Sequence, residues 1–175
     1  PEGVNLNVVT DRSLTQMMFD GDLDGVFAAR PPQAFLDGDP RIVRLFPDFR
    51  KAEMDHFKQT GIFPIMHTVA LRRDVFEENP WVAMNMITAF EQAKQRSHQR
   101  IANFTASQVA VPWLYTDAIE INRQIFGKDF WPYGIEPNRV TLEAFLQFAY
   151  EQGTLHRRVT VDELYPDEVK HHFKY

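Results

Sequence analysis

The stretch Gly61-Ile62-Phe63-Pro64-Ile65-Met66-His67-Thr68-Val69-Ala70-Leu71-Arg72-Arg73-Asp74 divides a chain of 175 residues into two unlike parts. It is the longest β-like run, because it opens on a glycine and is rich in apolar and β-branched residues. Candidate strands and helices alternate before it, whereas helical spacing dominates after it. We therefore predict a crossing strand between two lobes. Residues 1–60 would form part of one α/β lobe, and residues 61–175 the crossing strand and the helical part of the other.

Residues 1–60 carry the signals of a small parallel or mixed sheet. Residues 4–10 alternate between apolar and polar side chains, residues 26–29 are a short apolar run, and residues 41–46 are a third candidate strand. Between the first two candidate strands, the apolar residues of 14–20 have helical spacing. A strand, a helix and a strand within about 30 residues form a βαβ unit, which implies parallel strands. The predicted fold class is therefore α/β, with a small sheet followed by a helical C-terminal half.

Helix boundaries are predicted from capping residues, because side-chain oxygens accept from free N–H groups and glycine adopts the left-handed conformation. The first helix begins at Ser13 or Asp11 and ends at Gly21, and a second begins at Pro47 or Asp48 and runs to about Gln59. The longest helix begins at Asn79-Pro80, and Gly127 ends a helix over residues 116–126. The next helix begins at residues 136–138 and ends at Gly153, and a capping box from Thr160 to Glu163 begins a last short helix. On the longest helix we predict a polar face from Lys94 to Arg100, with His98 in solvent. His56 is likewise expected to be solvated.

Two loops are rich in aromatic residues. They span residues 109–115 and 128–134. Such side chains can stack on a planar ligand, or they can wedge their loops onto the protein core. The sequence leaves both interpretations open.

Composition excludes several classes of function. The chain has no cysteine, so disulfides, thiolate metal sites and cysteine nucleophiles are excluded. Its formal net charge of -5 argues against nucleic acid and anionic membrane as partners, and no apolar run reaches the length of a membrane span. No phosphate-binding glycine loop or zinc-protease motif is present. The pair His171-His172 has no acidic partner at ligand spacing, so we predict no metal site and a surface position for the pair.

Two arginines that follow candidate strands are the candidate anion-binding residues. Arg12 follows the first strand near a helix N-terminus, and Arg30 lies between the second strand and Pro31-Pro32. In open α/β sheets ligands bind at the carboxyl ends of the strands, and guanidinium groups suit carboxylates and phosphates. A surface ion pair of Arg12 with Asp11 or Asp24 is the alternative.

His67 is the candidate catalytic residue, because it is the polar side chain that interrupts the apolar run. An imidazole can donate a proton near neutral pH. The alternative is a core histidine whose ring nitrogens are satisfied by hydrogen bonds. Ser13 beside Arg12, and Phe63 in the same run as His67, complete the predicted substrate-binding residues.

Short motifs spread over nearly the whole chain carry a family resemblance. They are Asp11-Arg12-Ser13-Leu14, Gly21-Asp22-Leu23-Asp24-Gly25, Ala29-Arg30-Pro31-Pro32, Arg41-Ile42-Val43-Arg44-Leu45-Phe46-Pro47, Gly61-Ile62-Phe63-Pro64-Ile65-Met66-His67, Arg72-Arg73-Asp74-Val75, Asn79-Pro80-Trp81-Val82-Ala83, Trp131-Pro132-Tyr133-Gly134 and Glu143-Ala144-Phe145-Leu146. Through these motifs the sequence resembles 4,5-dihydroxyphthalate decarboxylases.

The resemblance implies a two-lobed fold of the type II periplasmic-binding-protein kind. It also implies decarboxylation of a dihydroxylated aromatic dicarboxylate in the cytoplasm, with no organic cofactor. Such a reaction needs cations for two carboxylates and one acid near the ring, and from the residues themselves we assign Arg12 and Arg30 to the substrate carboxylates and His67 to proton donation. The alternative is a non-catalytic, periplasmic solute-binding protein of an ABC importer for aromatic or sulfonate anions, which would bind without forming product.

The resemblance also implies proteins nearly twice as long, of which this chain would correspond to the C-terminal half. An incomplete sheet leaves apolar faces and a strand edge uncovered. We therefore expect either a missing N-terminal half or a homo-oligomer in which another copy covers the gap.

Overall fold

The structure, a computed structural model, describes residues 3–103, 113 and 116–170. These residues divide into two compact units, Pro1–Glu53 and Met54–Tyr175. Their regular elements are α1 (Leu14–Asp20), α2 (Gln33–Leu36), α3 (Phe49–Thr60), α4 (Arg73–Glu78), α5 (Trp81–Ala102), a π-helical turn (Thr116–Ile121), α6 (Asn122–Phe126), a 3-10 turn (Glu136–Asn138), α7 (Arg139–Glu151), α8 (Val161–Leu164) and a second 3-10 turn (Asp167–Val169).

The predicted α/β fold, with its parallel or mixed sheet in a two-lobed binding-protein-like architecture, is wrong. Residues 4–10, 26–29, 41–46 and 61–72 form no strand, and no strand occurs elsewhere in the described ranges. A strand needs a neighbour to accept and donate its main-chain hydrogen bonds, and strand propensity mostly reflects packing against such neighbours. The apolar side chains that suggested strands are largely exposed instead, for example Leu6 and Leu45, each at 85%.

Most of the helix predictions are confirmed where the structure describes them. Ser13 caps α1 by accepting from the Gln16 N–H at 3.1 Å, and Gly21 ends it with φ 80°. The predicted helices near residues 48–59, 116–126 and 139–151 are present, although α5 begins at Trp81 with Pro80, rather than Asn79, as its N-cap. No helix of the described part is long and apolar enough to cross a membrane.

Arginine–aromatic contacts organise the first unit. The Arg41 guanidinium lies 3.8 Å from the centroid of the Phe19 ring, on α1. Arg44 lies over Phe35 of α2 at 5.1 Å and over Phe49 of α3 at 4.4 Å. Cations at these distances are attracted by the ring quadrupole. Residues 41–46 therefore join three helices through their charged side chains, whereas the sequence predicted a third strand.

The core of the second unit lies between α7 and the chain on either side of it. Ile135, Leu142, Leu146 and Val161 are buried together, with Leu155, Val159, Tyr165 and Val169 packed against them. The predicted capping box is confirmed: Thr160 Oγ1 accepts from the Glu163 N–H, and the Glu163 carboxylate accepts from the Thr160 N–H at 2.7 Å. The box fixes the short helix α8 and thereby the position of Val161, which is 2% exposed.

A buried lysine joins α5 to residues 128–133. Lys94 is 6% exposed, and its Nζ donates to the Asp129 carboxylate at 3.1 and 3.2 Å and to the Trp131 carbonyl at 3.0 Å. Glu91, one turn earlier, is 2.9 Å away, and the Tyr133 ring centroid is at 4.7 Å. The prediction of a polar solvent face is therefore wrong at Lys94. It is also wrong for His98, whose ring stacks on Phe130 at 4.4 Å.

Replacing Lys94 with methionine keeps a long unbranched side chain but removes the charge and its hydrogen bonds. We expect the free energy of unfolding to fall by about 1–3 kcal/mol, because the Trp131 carbonyl loses its donor and Asp129 its counter-charge. Urea unfolding measures this change. The matched control is Lys58→Met, on an exposed position of α3, and we expect it to stay within about 0.5 kcal/mol of the parent. Equal effects of the two variants would contradict the importance of the Lys94 contacts.

Removing the cap of α8 with Thr160→Ala should lower the free energy of unfolding by about 1 kcal/mol, because the Glu163 N–H loses its side-chain acceptor and keeps only the carbonyl of residue 160. The exposed Thr154, whose N–H donates to the Ala149 carbonyl, offers the control Thr154→Ala. Thermal unfolding of both variants tests the expectation. A larger loss for Thr154→Ala than for Thr160→Ala would show that the capping box has no special weight.

In the first unit, hydrogen bonds from the Arg41 side chain and backbone lower the pKa of Asp39 from 3.8 to about 2. This favourable interaction is fully present above pH 3.8 and is lost as the pH falls through about 2, since protonation removes the carboxylate. In Arg41→Gln the pKa of Asp39 should rise, though incompletely, because the backbone N–H of residue 41 still donates at 3.0 Å. Carbon-detected NMR titration of the carboxyl group measures this. An unchanged titration midpoint would refute the assigned cause, and Arg73→Gln in the second unit serves as the control.

Candidate functional site

Arg12 and Ser13 lie at the start of α1, where the sequence placed an anion site. The Arg12 guanidinium donates to Asp22 at 2.6 Å and to Asp20 at 3.4 Å, and the Asp22 hydrogen bond raises the pKa of Arg12. The partners differ from Asp11 and Asp24, but the alternative of a surface ion pair describes the arrangement. Ser13 Oγ is engaged by the Gln16 N–H. An incoming carboxylate would therefore compete with two resident carboxylates for Arg12.

Arg30 is the more available of the two predicted cations. Its side chain is exposed and makes no ion pair or hydrogen bond with any residue that the structure describes. It lies just before Pro31 and Pro32, the second of which is the N-cap residue of α2. The two prolines that follow restrict the backbone of Arg30, and its guanidinium keeps a full set of free N–H donors toward the described residues.

His67 lies in the segment between α3 and α4, within the second unit. Its side chain is exposed, and within the described residues it makes no hydrogen bond, ion pair or ring contact. The expectation of a core position in a strand is therefore wrong, while its role as a proton donor stays a prediction. An exposed imidazole with both ring nitrogens open can exchange protons with a bound ligand or with water.

Phe63 packs into an aromatic cluster that also contains Phe57, Phe126 and Trp131. Its ring centroid lies 6.4, 5.2 and 5.5 Å from theirs, each time edge to face. Its backbone N–H donates to Thr141 Oγ1 at 3.0 Å. These contacts hold the start of the His67 segment on α7. Phe63 therefore has a structural function, whereas its predicted contact with substrate stays a prediction.

The aromatic loop of residues 128–134 uses its rings within the protein. Trp131 contacts Phe63, Phe130 stacks on His98, and Tyr133 lies beneath the Lys94 ammonium. This agrees with the interpretation that the loop is wedged onto the core. The other aromatic loop, residues 109–115, lies outside the described residues except for Trp113, and so does the pair His171-His172.

Lys94 is the polar group that sequence reasoning missed. It was detectable from spacing, since Ala83, Ile87, Glu91 and Lys94 lie three or four residues apart and share one face of α5. Carboxylates, a carbonyl and a ring all contact its ammonium, so this lysine has no open face for a ligand. It acts as a structural cation.

Two open grooves occur in the second unit, and neither contains a predicted site residue. One, of about 490 Å³, runs along the polar side of α5 from Thr88 to Gln99. The other, of about 390 Å³, lies between α7 and residues 158–162 and includes Arg139, Tyr150 and Arg158. In the second groove the Arg139 guanidinium forms ion pairs with Glu136 and Asp162. No cluster of three or more metal-binding side chains is found among the described residues.

Comparison with known proteins bears directly on the family. No protein-family model matches the sequence. The chain is 34% identical over 166 residues to 4,5-dihydroxyphthalate decarboxylase of Comamonas testosteroni, an alignment that covers 94% of this chain and 50% of that protein. Such identity over nearly the whole chain confirms the resemblance that the motifs predicted. This chain is therefore a relative of the 4,5-dihydroxyphthalate decarboxylases, and it spans about half the length of the relative that it matches.

Proposed function

We propose that this chain contributes to the decarboxylation of a dihydroxylated aromatic dicarboxylate, such as 4,5-dihydroxyphthalate, to a dihydroxybenzoate and carbon dioxide. The observation that carries the proposal is the 34% identity over 166 residues to a protein of that name. Since the chain spans half of the relative, we propose the activity for the complete protein and a contribution to its site for this chain.

The chemistry sets clear requirements for such a site. In 4,5-dihydroxyphthalate each carboxylate is para to a hydroxyl group. Deprotonation of that hydroxyl sends electron density to the carbon that bears the carboxylate, and a general acid protonates this carbon. The bond to the carboxylate then breaks, its electron pair returns to the ring, and carbon dioxide leaves. The site therefore needs a cation for the carboxylate that stays and a proton donor beside the ring.

This chain contains residues of the types needed for both roles, the cation and the proton donor. Arg30 has free donors for a bidentate carboxylate contact, which supports it as the first candidate for substrate binding. Arg12 can take that role only by exchanging Asp22 for the substrate. His67, with an open imidazole, is the candidate general acid. The same proposal puts the protein in the cytoplasm, because the alternative of an importer's binding protein is the one that requires a periplasmic location.

A hybrid protein tests the function and the role of His67 together. In it this chain replaces the region of the Comamonas testosteroni decarboxylase that it matches. We expect the hybrid to convert 4,5-dihydroxyphthalate into a dihydroxybenzoate, measured by chromatography. His67→Gln should lower kcat by about 100-fold or more, since general acids contribute 10²–10⁴ in rate.

The matched control is His56→Gln, because His56 is also exposed and we assign it no function; its kcat should stay within about twofold of the parent's, because surface changes of this kind have small effects. A hybrid that binds the substrate without forming product would favour the solute-binding alternative. Unchanged turnover in His67→Gln would remove His67 from the mechanism.

A further inference from the structure

The segment from Ile65 to Leu71 exposes several apolar side chains. Ile65 is 38% exposed, Met66 81% and Val69 62%. His67, Thr68 and Ala70, which lie within the same segment, are exposed as well. Apolar side chains left in water are unfavourable in proportion to the apolar surface that remains exposed. Such patches commonly mark binding surfaces.

The backbone of the same segment is also unpaired with respect to the residues that the structure describes. Within the described part of the chain, residues 65–71 make no backbone hydrogen bond, whereas Ile62 and Phe63 donate to Thr60 and Thr141. A run with high strand propensity and free N–H and C=O groups can accept an added strand from another polypeptide segment. Its side chains and its main chain therefore both offer unused interactions.

Both ends of the segment are nevertheless held in place. At the start, Phe63 is fixed by the aromatic cluster and by Thr141. At the end, Arg72 pairs with Asp74 and its carbonyl accepts from the Phe76 N–H in the first turn of α4. A segment anchored at its two ends loses less conformational entropy when a partner binds than a free loop would.

The family comparison supplies the occupant. This chain aligns over 94% of its own length with only 50% of its relative, so an equal length of polypeptide in the relative has no counterpart here. We propose that residues 65–71 are a docking surface for a segment from that unmatched half, which adds its main chain alongside and covers Ile65, Met66 and Val69. The pairing would come from polypeptide outside this chain. The proposal rests on the family relationship and does not require the decarboxylase activity.

Amide hydrogen exchange distinguishes the occupants. In the isolated chain we expect the amides of residues 65–71 to exchange rapidly. In the hybrid with the unmatched half of the Comamonas testosteroni protein, the same amides should exchange at least about tenfold more slowly, since paired amides exchange only through local opening. Rapid exchange in both proteins overturns the proposal. Slow exchange in the isolated chain would also overturn the proposal. If light scattering then showed a dimer, a second copy of the chain would be the occupant.

Charged substitutions test the surface itself. In the hybrid, Met66→Lys with Val69→Lys should restore rapid exchange, because buried lysines are costly. The control pair is Leu6→Lys with Val8→Lys, at positions that are 85% and 81% exposed, and it should leave the protection of residues 65–71 unchanged. In the isolated chain the Met66/Val69 pair should leave the melting temperature unchanged. A marked fall would mean that these side chains pack within this chain, which the proposal forbids, and this measurement does not depend on folding of the hybrid.

Discussion

The second unit depends on the burial of the Lys94 ammonium. A charge removed from water requires partners that replace its hydration, and only groups at hydrogen-bond distance can do so. Asp129 and the Trp131 carbonyl meet that requirement, which fixes the course of the chain after α6. Trp131 then contacts Phe63, and Phe63 fixes the start of the segment that carries His67. One buried cation is thus linked through two aromatic rings to the candidate site.

The first unit is organised differently, by arginines on aromatic rings rather than by an apolar core. Ile42 is the one buried side chain among its described residues, while Leu6, Val8 and Leu45 are mostly exposed. Arginine–aromatic contacts stabilise a surface modestly and leave the apolar side chains without cover. Apolar surface is therefore left in water in this unit as well as on residues 65–71. Both observations agree with a chain that spans half the length of its relative.

The candidate site shows the same incompleteness. Arg30 and His67 are open to ligands, and each lies in a different unit. Arg12, which was predicted with Arg30 to bind the substrate carboxylates, is engaged by Asp22 and Asp20. We propose the activity for the complete protein, to which this chain contributes candidate groups.

The sequence by itself determined most of the helices and several of their ends, and its motifs carried the resemblance to 4,5-dihydroxyphthalate decarboxylases. Ser13, Gly21 and the Thr160–Glu163 box act within a few residues of the groups that they satisfy, so local sequence is enough to identify them. Strands depend on a neighbour that local sequence does not name, and residues 61–72 show that apolar alternation without such a neighbour gives no strand. Only the tertiary structure decided that Lys94 is buried, that His98 stacks on Phe130 and that Arg12 is paired. Those outcomes depend on contacts between residues distant in sequence, and no local pattern encodes which partner comes within hydrogen-bond distance.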